Sequence, residues 1–293
     1  VQEVRSASGF HRSGVANEQV IATYSDIAKT SLIDLKVITN SDIRLNGNVG
    51  VSTITRYDAA VIAGLLKDGE ITYSQADMVD QQVITTTSFD LRGNALTQEI
   101  VKSWYDAGSL ALKFSDAQRI TNSPFDFRDR TSHAVILSFK DSILSDASFS
   151  EMQDIYYSSY DKFGNVEVQT IDTYTTQSVD TAGFVDHKVI MNSYTDIIAQ
   201  RRGNATVSTV TKYNSLVESI ASEIDRTVTT TGLFNNMGYA VDQTIDTFVV
   251  DRVDSRGELL ASEKAIHNID INNRGDALSQ EITSYAADND GNI

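Results

Sequence analysis

Histidines and acidic residues are the side chains of this chain that could do chemistry, and their spacing assembles no site. The four histidines, His11, His133, His187 and His267, are far apart in the sequence, whereas a metal centre needs at least three converging ligands. General acid–base catalysis needs a carboxyl pair whose surroundings separate the two pKa values. The 40 acidic residues are spread along the chain without a spacing that indicates such a pair. We therefore expect solvated histidines and a non-enzymatic protein without a cofactor.

One short segment has the composition of half a calcium loop. Asp288-Asn289-Asp290-Gly291-Asn292 combines oxygen ligands with a glycine that permits a sharp bend. A complete loop would need a bidentate glutamate further on, and only Ile293 follows. The same residue types form good turns. The prediction is a turn, with calcium bound by Asp288 and Asp290 as the alternative.

The composition limits the partners that this chain can have. Its formal net charge is −16, from 24 basic and 40 acidic residues, and it has no cysteine. Because so acidic a chain repels phosphate groups, we expect no nucleic acid and no anionic membrane surface as partners. Disulfides and thiolate metal sites are excluded. No apolar run approaches the roughly 18 residues that span a bilayer, so we expect no membrane insertion.

The elements that carry these side chains are repeats, each centred on a short turn. Eight copies follow one another at intervals of 33 to 46 residues, and the fourth has Asp129 where the others have glycine. Glycine supplies the positive φ that short hairpin turns require. The seven turn glycines are Gly14, Gly47, Gly93, Gly164, Gly203, Gly238 and Gly275.

Three further positions recur at fixed distances after each turn. A β-branched residue comes seven positions later, at Ile21, Ile54, Ile100, Ile136, Ile171, Val210, Ile245 and Ile282. A glutamine comes five positions later in five copies, at Gln19, Gln98, Gln169, Gln243 and Gln280. An aromatic residue comes ten positions later in seven copies, at Tyr24, Tyr57, Phe139, Tyr174, Tyr213, Phe248 and Tyr285. We expect the β-branched residues to stack in a column and the glutamines to form an amide ladder beside them.

This pattern predicts an all-β fold in which residues 1–293 form a single tandem array of β-hairpins, with about eight units of 33–46 residues. Alternation along a strand places the glutamine and isoleucine positions on one face and the aromatic positions on the other. So many strands must coil into a superhelical sheet, wrap into a shell or fold into two layers. A β-solenoid with one coil per repeat is the alternative. The connectors take the insertions, at residues 64–69 and 199–201, and residues 57–66 are the best helix candidate.

The repeats resemble two related kinds of sequence. Tyr160-Asp161-Lys162-Phe163-Gly164-Asn165-Val166 is similar to the core of YD repeats in RHS-type and teneurin-type surface proteins. Residues 89–98, Phe-Asp-Leu-Arg-Gly-Asn-Ala-Leu-Thr-Gln, resemble the tandem arrays of very large predicted surface proteins of uncultured bacteria. RHS-type units are shorter, and no toxin core or self-cleaving site follows here. The resemblance implies a hairpin array on or outside the cell and carries over no catalytic residue.

These observations predict a structural protein of an extracellular fibre or cell-surface layer. The chain begins at Val1 without an initiator methionine, so we expect a filament subunit or a segment of a longer protein. Unpaired sheet edges invite strand addition by another copy, which predicts self-association. One alternative is an RHS-like shell that encloses a cargo. The other is an adhesin that binds glycans through exposed tyrosine columns, with Tyr174 and Tyr213 as the test positions.

Overall fold

A computed structural model describes residues 1–59, 73–253, 256–272, 275–288 and 291–292. The all-β hairpin array predicted from the sequence is confirmed. Sixteen strands form one open antiparallel sheet in which neighbours follow chain order, from β1 to β16. Within the part of the chain that is described, no helix is long and apolar enough to cross a membrane. The chain divides into two compact units, residues 1–129 with 135–151 and residues 130–134 with 152–293.

The first unit contains seven complete strands, most of an eighth, and the start of a ninth. These strands are β1 (Gln2–Ser6), β2 (Glu18–Tyr24), β3 (Leu32–Ile43), β4 (Val49–Tyr57), β5 (Met78–Phe89), β6 (Ala95–Asp106), β7 (Ala111–Asn122), β8 (His133–Phe139) and β9 (Phe149–Tyr160). Two 3₁₀ turns, Gln75–Asp77 and Asp146–Ser148, lie in its connectors. The insertion at residues 64–69 lies outside the described residues, as does most of the helix candidate at residues 57–66.

The second unit contains most of β9 and the last seven strands. These are β10 (Val166–Tyr174), β11 (Phe184–Ser193), β12 (Val207–Tyr213), β13 (Glu223–Phe234), β14 (Ala240–Asp251), β15 (Gly257–Ile271) and β16 (Ala277–Ala286). The insertion at residues 199–201 forms part of a one-turn helix, α1 (Ile197–Arg201). The Asp196 carboxylate caps α1, accepting from the backbone N–H groups of Ile198 at 2.9 Å and Ala199 at 2.7 Å.

Consecutive strands pair antiparallel within each unit, as hairpins require. In the third hairpin, Ile84 lies opposite Ile100 and Phe89 opposite Ala95, on either side of the turn at Gly93. A solenoid with one coil per repeat would instead stack parallel strands from successive coils. The antiparallel ladders therefore favour the hairpin array over the solenoid alternative.

All seven turn glycines have positive φ, between 78° at Gly238 and 97° at Gly93. The fourth turn reaches the same region without glycine, since Asp129 has a φ of 60°. Aspartate tolerates this left-handed conformation better than most residues with a side chain. The chain can therefore keep the turn geometry where the repeat sequence departs from glycine.

A register shift recurs in the ladder between the second strand of one hairpin and the first strand of the next. It comes just before the aromatic position. It lies between Thr23 and Tyr24, and the same shift precedes Tyr57, Ser103, Tyr174, Tyr213 and Phe248. Such a bulge inserts one residue and re-aims the following side chain. In the third copy, which lacks the aromatic residue, Ser103 lies opposite Phe114 on the neighbouring strand.

Full burial is confined to small clusters, and most strand side chains are half-buried on both faces. One cluster joins Val20, Ala22, Tyr24, Leu32, Leu35 and Val37 in β2 and β3. A second joins Ala117, Phe139 and Leu144. In the second unit, Tyr174 has only 1% of its surface exposed. The cover on both faces of the sheet is therefore partial, and hydrogen bonds must contribute much of the cohesion.

Candidate functional site: a polar relay and the terminal strand

Aspartate or asparagine at the start of several turns fixes the turn by local hydrogen bonds. The Asp161 carboxylate accepts from the backbone N–H of Phe163 at 2.8 Å and of Asn165 at 2.9 Å. The Asn165 side chain also donates to it, at 2.8 Å. Burial raises the pKa of Asp161, but the hydrogen bonds from Asn165, Phe163 and Gln200 outweigh burial and hold that pKa below its ordinary value. The Tyr-Asp motif is therefore a turn device.

Turn asparagines also join one turn to the next. The Nδ2 group of Asn94 donates to the Asp129 carboxylate at 2.8 Å, and Asn165 donates to the Gln200 carbonyl at 2.6 Å. Asn204 donates to the Gly238 carbonyl at 2.7 Å in the same way. Consecutive turns are thus hydrogen-bonded along the edge of each unit.

A second set of asparagines joins each hairpin to the one before it. Each lies near the end of the first strand of a hairpin and donates to the carbonyl two positions after the preceding turn glycine. The pairs are Asn40 with Ala16, Asn122 with Ala95, Asn192 with Val166 and Asn268 with Ala240, all at 3.0 Å. Thr231 takes the same role through its hydroxyl, 3.4 Å from the Ala205 carbonyl. A regular contact between repeats thus comes from a side chain on the face that carries the glutamines.

Three of the five predicted ladder glutamines donate a hydrogen bond across their own hairpin. Their acceptors are at the position that the asparagines of the second set occupy in other hairpins. Gln98 donates to Thr86 at 3.1 Å, Gln243 to Thr231 at 3.3 Å and Gln280 to Asn268 at 2.7 Å. Within their own hairpins, Gln19 lies opposite Ser6 and Gln169 opposite Tyr157. Glutamines of successive repeats are therefore not stacked on each other. A relay runs across the strands, from Gln280 to Asn268 to the Ala240 carbonyl.

Five of the predicted stacking positions face an aliphatic residue on the other strand of their own hairpin, and not another predicted position. Directly opposed pairs are Ile38 with Ile54, Ile84 with Ile100, Ile155 with Ile171, Ile190 with Val210, and Ile266 with Ile282. Ile21 lies opposite Val4 and Ile245 opposite Thr229. Seven of the eight positions, Ile136 among them, are half-buried, whereas Ile282 is 54% exposed. The β-branched residue of the last repeat is therefore more exposed to solvent than those of the other seven repeats.

Three histidines have aspartate partners that the sequence pattern did not indicate. His187 in β11 lies directly opposite Asp172 in β10 and is hydrogen-bonded to it. His267 contacts Asp242 at 2.5 Å, and His133 is bound to Asp154. His11 contacts the Ser13 hydroxyl at 2.8 Å. The expectation of simply solvated histidines is corrected, because cross-strand register pairs residues that lie 15 to 25 positions apart.

One carboxyl pair has strongly separated pKa values, which the sequence also did not indicate. Burial, followed by a hydrogen bond to Glu258, raises the pKa of Glu223 to about 7. The hydrogen bond from Arg226 lowers the pKa of Glu258 to about 2. Such separation is typical of acid–base pairs in enzymes, but structural ion-pair networks produce it too. Glu223 is 6% exposed, and its partners are an arginine and a glutamate that already bind each other.

The proposed calcium segment forms a turn of the repeat type. The backbone N–H of Asp288 donates to the Asn292 carbonyl at 2.8 Å, and Gly291 has a φ of 80°. The Asp288 carboxylate accepts from the Asn292 N–H at 2.9 Å, as Asp161 does from Asn165. Asp290 lies outside the described residues. Across the residues that are described, no group of three or more His, Asp or Glu side chains is placed to hold a metal ion.

The tyrosine column is buried to different degrees, since Tyr213 is half-buried and Tyr285 is 43% exposed, whereas Tyr24 and Tyr174 are interior. Tyr24 is 3% exposed and Tyr174 is 1% exposed. Burial raises the pKa of both phenols, as expected for hydroxyls removed from water. Tyr174 is therefore unsuitable as a platform for a glycan, contrary to the adhesin alternative.

β16 is the last strand of the sheet and the most exposed one. All ten of its residues are exposed, including Leu278 at 71%, Ile282 at 54% and Tyr285 at 43%. On its inner side it pairs with β15 over nine residue pairs, from Ser262–Ala286 to Ile271–Ala277. Within the described residues, its outer edge has no neighbouring strand. Ala277 is at the position whose carbonyl accepts an asparagine in the inner repeats. This edge is the candidate functional site.

No protein-family model matches the chain, and no curated protein matches it either.

Proposed function

We propose that this chain is a non-enzymatic structural repeat protein of an extracellular fibre or cell-surface layer, which self-associates through the edges of its sheet. The observation that carries the proposal is the exposure of β16, whose ten residues lack the cover that inner strands receive. An exposed edge of this length is a template for pairing with another chain. The resemblance of the repeats to YD-type surface arrays supports the extracellular location.

The residue pairing between inner hairpins defines what the outer edge of β16 should accept. In β14 the glutamine Gln243 lies opposite Ile266 of the next hairpin, and Ile245 lies opposite Lys264. A lysine or glutamine also faces the β-branched position at Ile21, Ile54, Ile100 and Ile171, as in Ile54 with Gln82, whereas Val210 faces Thr227. The incoming strand should therefore carry a long polar residue and, two positions later, an aliphatic residue.

β1 has this pattern. Its residues Gln2, Val4 and Ser6 occupy the positions of Lys264, Ile266 and Asn268 in β15. If β1 of a second copy lies along β16 in the register of the repeats, Gln2 faces Ile282 and Val4 faces Gln280. Ser6 then lies where its hydroxyl can donate to the Ala277 carbonyl. We therefore propose head-to-tail association, in which β1 of one copy continues the sheet after β16 of another.

Sedimentation of the purified chain over a range of concentrations, combined with negative-stain electron microscopy, tests this proposal. We expect the mass to grow with concentration and elongated assemblies to appear. Ile282→Lys puts a charge in the middle of the contact and should raise the concentration needed for association at least tenfold. Val4→Lys should act in the same way from the opposite edge.

Ile143→Lys is the matched control, since Ile143 is 78% exposed but lies in a connector. It should associate like the unsubstituted chain. A chain that stays monomeric at about 1 mM, or one whose assemblies form equally well with Ile282→Lys and Val4→Lys, would refute edge association.

A further inference from the structure

The single tryptophan of the chain, Trp104, lies on the exposed face of the sheet in the first unit. It has 48% of its surface exposed and belongs to β6. Around it is an open groove of about 540 Å³ that crosses β3 to β7. An indole left half-exposed on a sheet is a large apolar surface with a polar N–H at its rim. Such a platform indicates a ligand with a flat apolar face.

Strand register arranges the groove as two rows of side chains that run across the strands. Directly opposed residues in the first row are Lys36, Arg56, Asp80, Trp104 and Lys113. Those in the second row are Ile38, Ile54, Gln82, Lys102 and Asp116. Since neighbouring strands are about 4.8 Å apart, each row extends over about 19 Å. The groove is thus long enough for an extended chain-like ligand.

The charged groups of the groove are balanced in pairs. Arg56 contacts Asp80 at 3.0 Å, and Lys102 contacts Asp116 at 3.4 Å. Lys36 contacts Asp34, just outside the groove, at 3.1 Å. All these side chains keep between 29% and 48% of their surface exposed. They therefore offer donors and acceptors side by side with little net charge, which matches a ligand rich in hydroxyl groups.

We propose that this groove binds a neutral, gluco-configured oligosaccharide, with one pyranose ring stacked on Trp104. A glucopyranose ring has C–H groups on its faces and hydroxyls around its rim. It therefore presents an apolar face to the indole and polar groups to the Arg56–Asp80 and Lys102–Asp116 pairs. One strand spacing is close to the length of one pyranose residue, so successive sugars can meet successive strands.

Charge decides between neutral and acidic ligands. The chain carries a formal net charge of −16, which repels polyanions over the range of the Debye length. Lys36, Arg56 and Lys102, which line the groove, already have carboxylate partners and would have to exchange them for an acidic sugar. This binding is independent of strand addition at β16, because the groove lies on a face of the first unit.

Trp104 also provides the assay, because its fluorescence reports on this groove alone. The full chain is titrated with cellohexaose and with maltohexaose, and with a galacturonate hexamer and oligothymidylate as anionic probes. We expect saturable fluorescence changes with at least one neutral hexasaccharide and tenfold or weaker binding of both anions. By calorimetry, Trp104→Ala should weaken sugar binding at least tenfold. Asp80→Asn keeps the fluorophore and should weaken binding about threefold or more.

Phe127→Ala is the control for loss of an exposed ring, since Phe127 is 80% exposed and lies in a turn away from the groove. It should change the affinity less than twofold, and circular dichroism should match across all variants. The proposal is overturned if neither neutral sugar binds, if an anionic probe binds as tightly as the sugars, or if Trp104→Ala, with unchanged circular dichroism, binds them like the unsubstituted chain.

Discussion

The carboxyl group of Glu223 is the titrating group that we expect to change stability most. It is 6% exposed at the start of β13. Burial is the main cause that raises its pKa to about 7, followed by the hydrogen bond and charge of Glu258 and the charge of Asp225. Arg226 acts in the opposite direction, but its guanidinium is already bound to Glu258. Ionised Glu223 is therefore poorly compensated in the folded chain.

The sign and size of the effect follow from these pKa values. A folded-state pKa raised from 4.5 to about 7 means that the contribution of Glu223 to stability is fully present below pH 4.5. That contribution is lost as the pH rises through about 7, and the difference corresponds to about 3 kcal/mol at most. Glu258, with its pKa lowered to about 2, titrates in the opposite sense between pH 4.5 and 2. The range from pH 5 to 8 thus reports on Glu223.

Glu223→Gln removes the charge and keeps an amide that can donate to Glu258. We expect it to stabilise β13 and β15 by about 2–3 kcal/mol at pH 8 and by less than about 1 kcal/mol at pH 5. The measurement is hydrogen exchange of the amides in these strands, with protection factors converted to opening free energies. Glu281→Gln, at an exposed position in β16, is the control and should leave protection unchanged. Equal pH dependence in the Glu223→Gln and unsubstituted chains would refute the reasoning.

Two further predictions concern the turns and the contacts between hairpins. Gly93→Val should lower the unfolding midpoint more than Gly14→Val. Both glycines have positive φ, but only at Gly93 would an added Cβ meet a neighbour, the Asn48 Oδ1 atom at 2.7 Å. Equal unfolding midpoints of the two variants would contradict this. Asn122→Ala, which removes the donor to the Ala95 carbonyl, should cost about 1 kcal/mol in urea unfolding. Asn122→Thr, which restores the residue type found at position 231, should cost less, and equal losses would count against the relay.

Local features of the fold could be predicted from the sequence because they depend on residues close together in the chain. Glycine next to asparagine at positions 93 and 94, between alternating polar and β-branched residues, indicates a hairpin in any context. Four of the eight turns have glycine followed by asparagine, and the repetition of the turn position in all eight units led to the all-β array, which the structure confirms. The stacking partners did not follow from strand alternation, since Ile100 faces Ile84 of its own hairpin and Gln118 of the next one.

Contacts between strands could not be predicted in the same way, because they depend on register. His187 and Asp172 are fifteen positions apart and meet only because β10 and β11 pair in one register. Glu223 and Glu258 come together from strands separated in the sheet by β14. A bulge before five of the aromatic positions and before Ser103 shifts the pairing by one residue, and the repeat pattern did not indicate it.

The sequence by itself determined the repeat unit, the turns and the alternation of strand faces, since φ preferences and side-chain periodicity act within a few residues. The tertiary structure decided which polar groups meet. It directed the glutamines to threonine and asparagine across the strand instead of to one another. It also buried Tyr24 and Tyr174 and left Trp104 and β16 exposed. The reason is that burial and cross-strand contact are properties of the whole sheet, set by the register of sixteen strands.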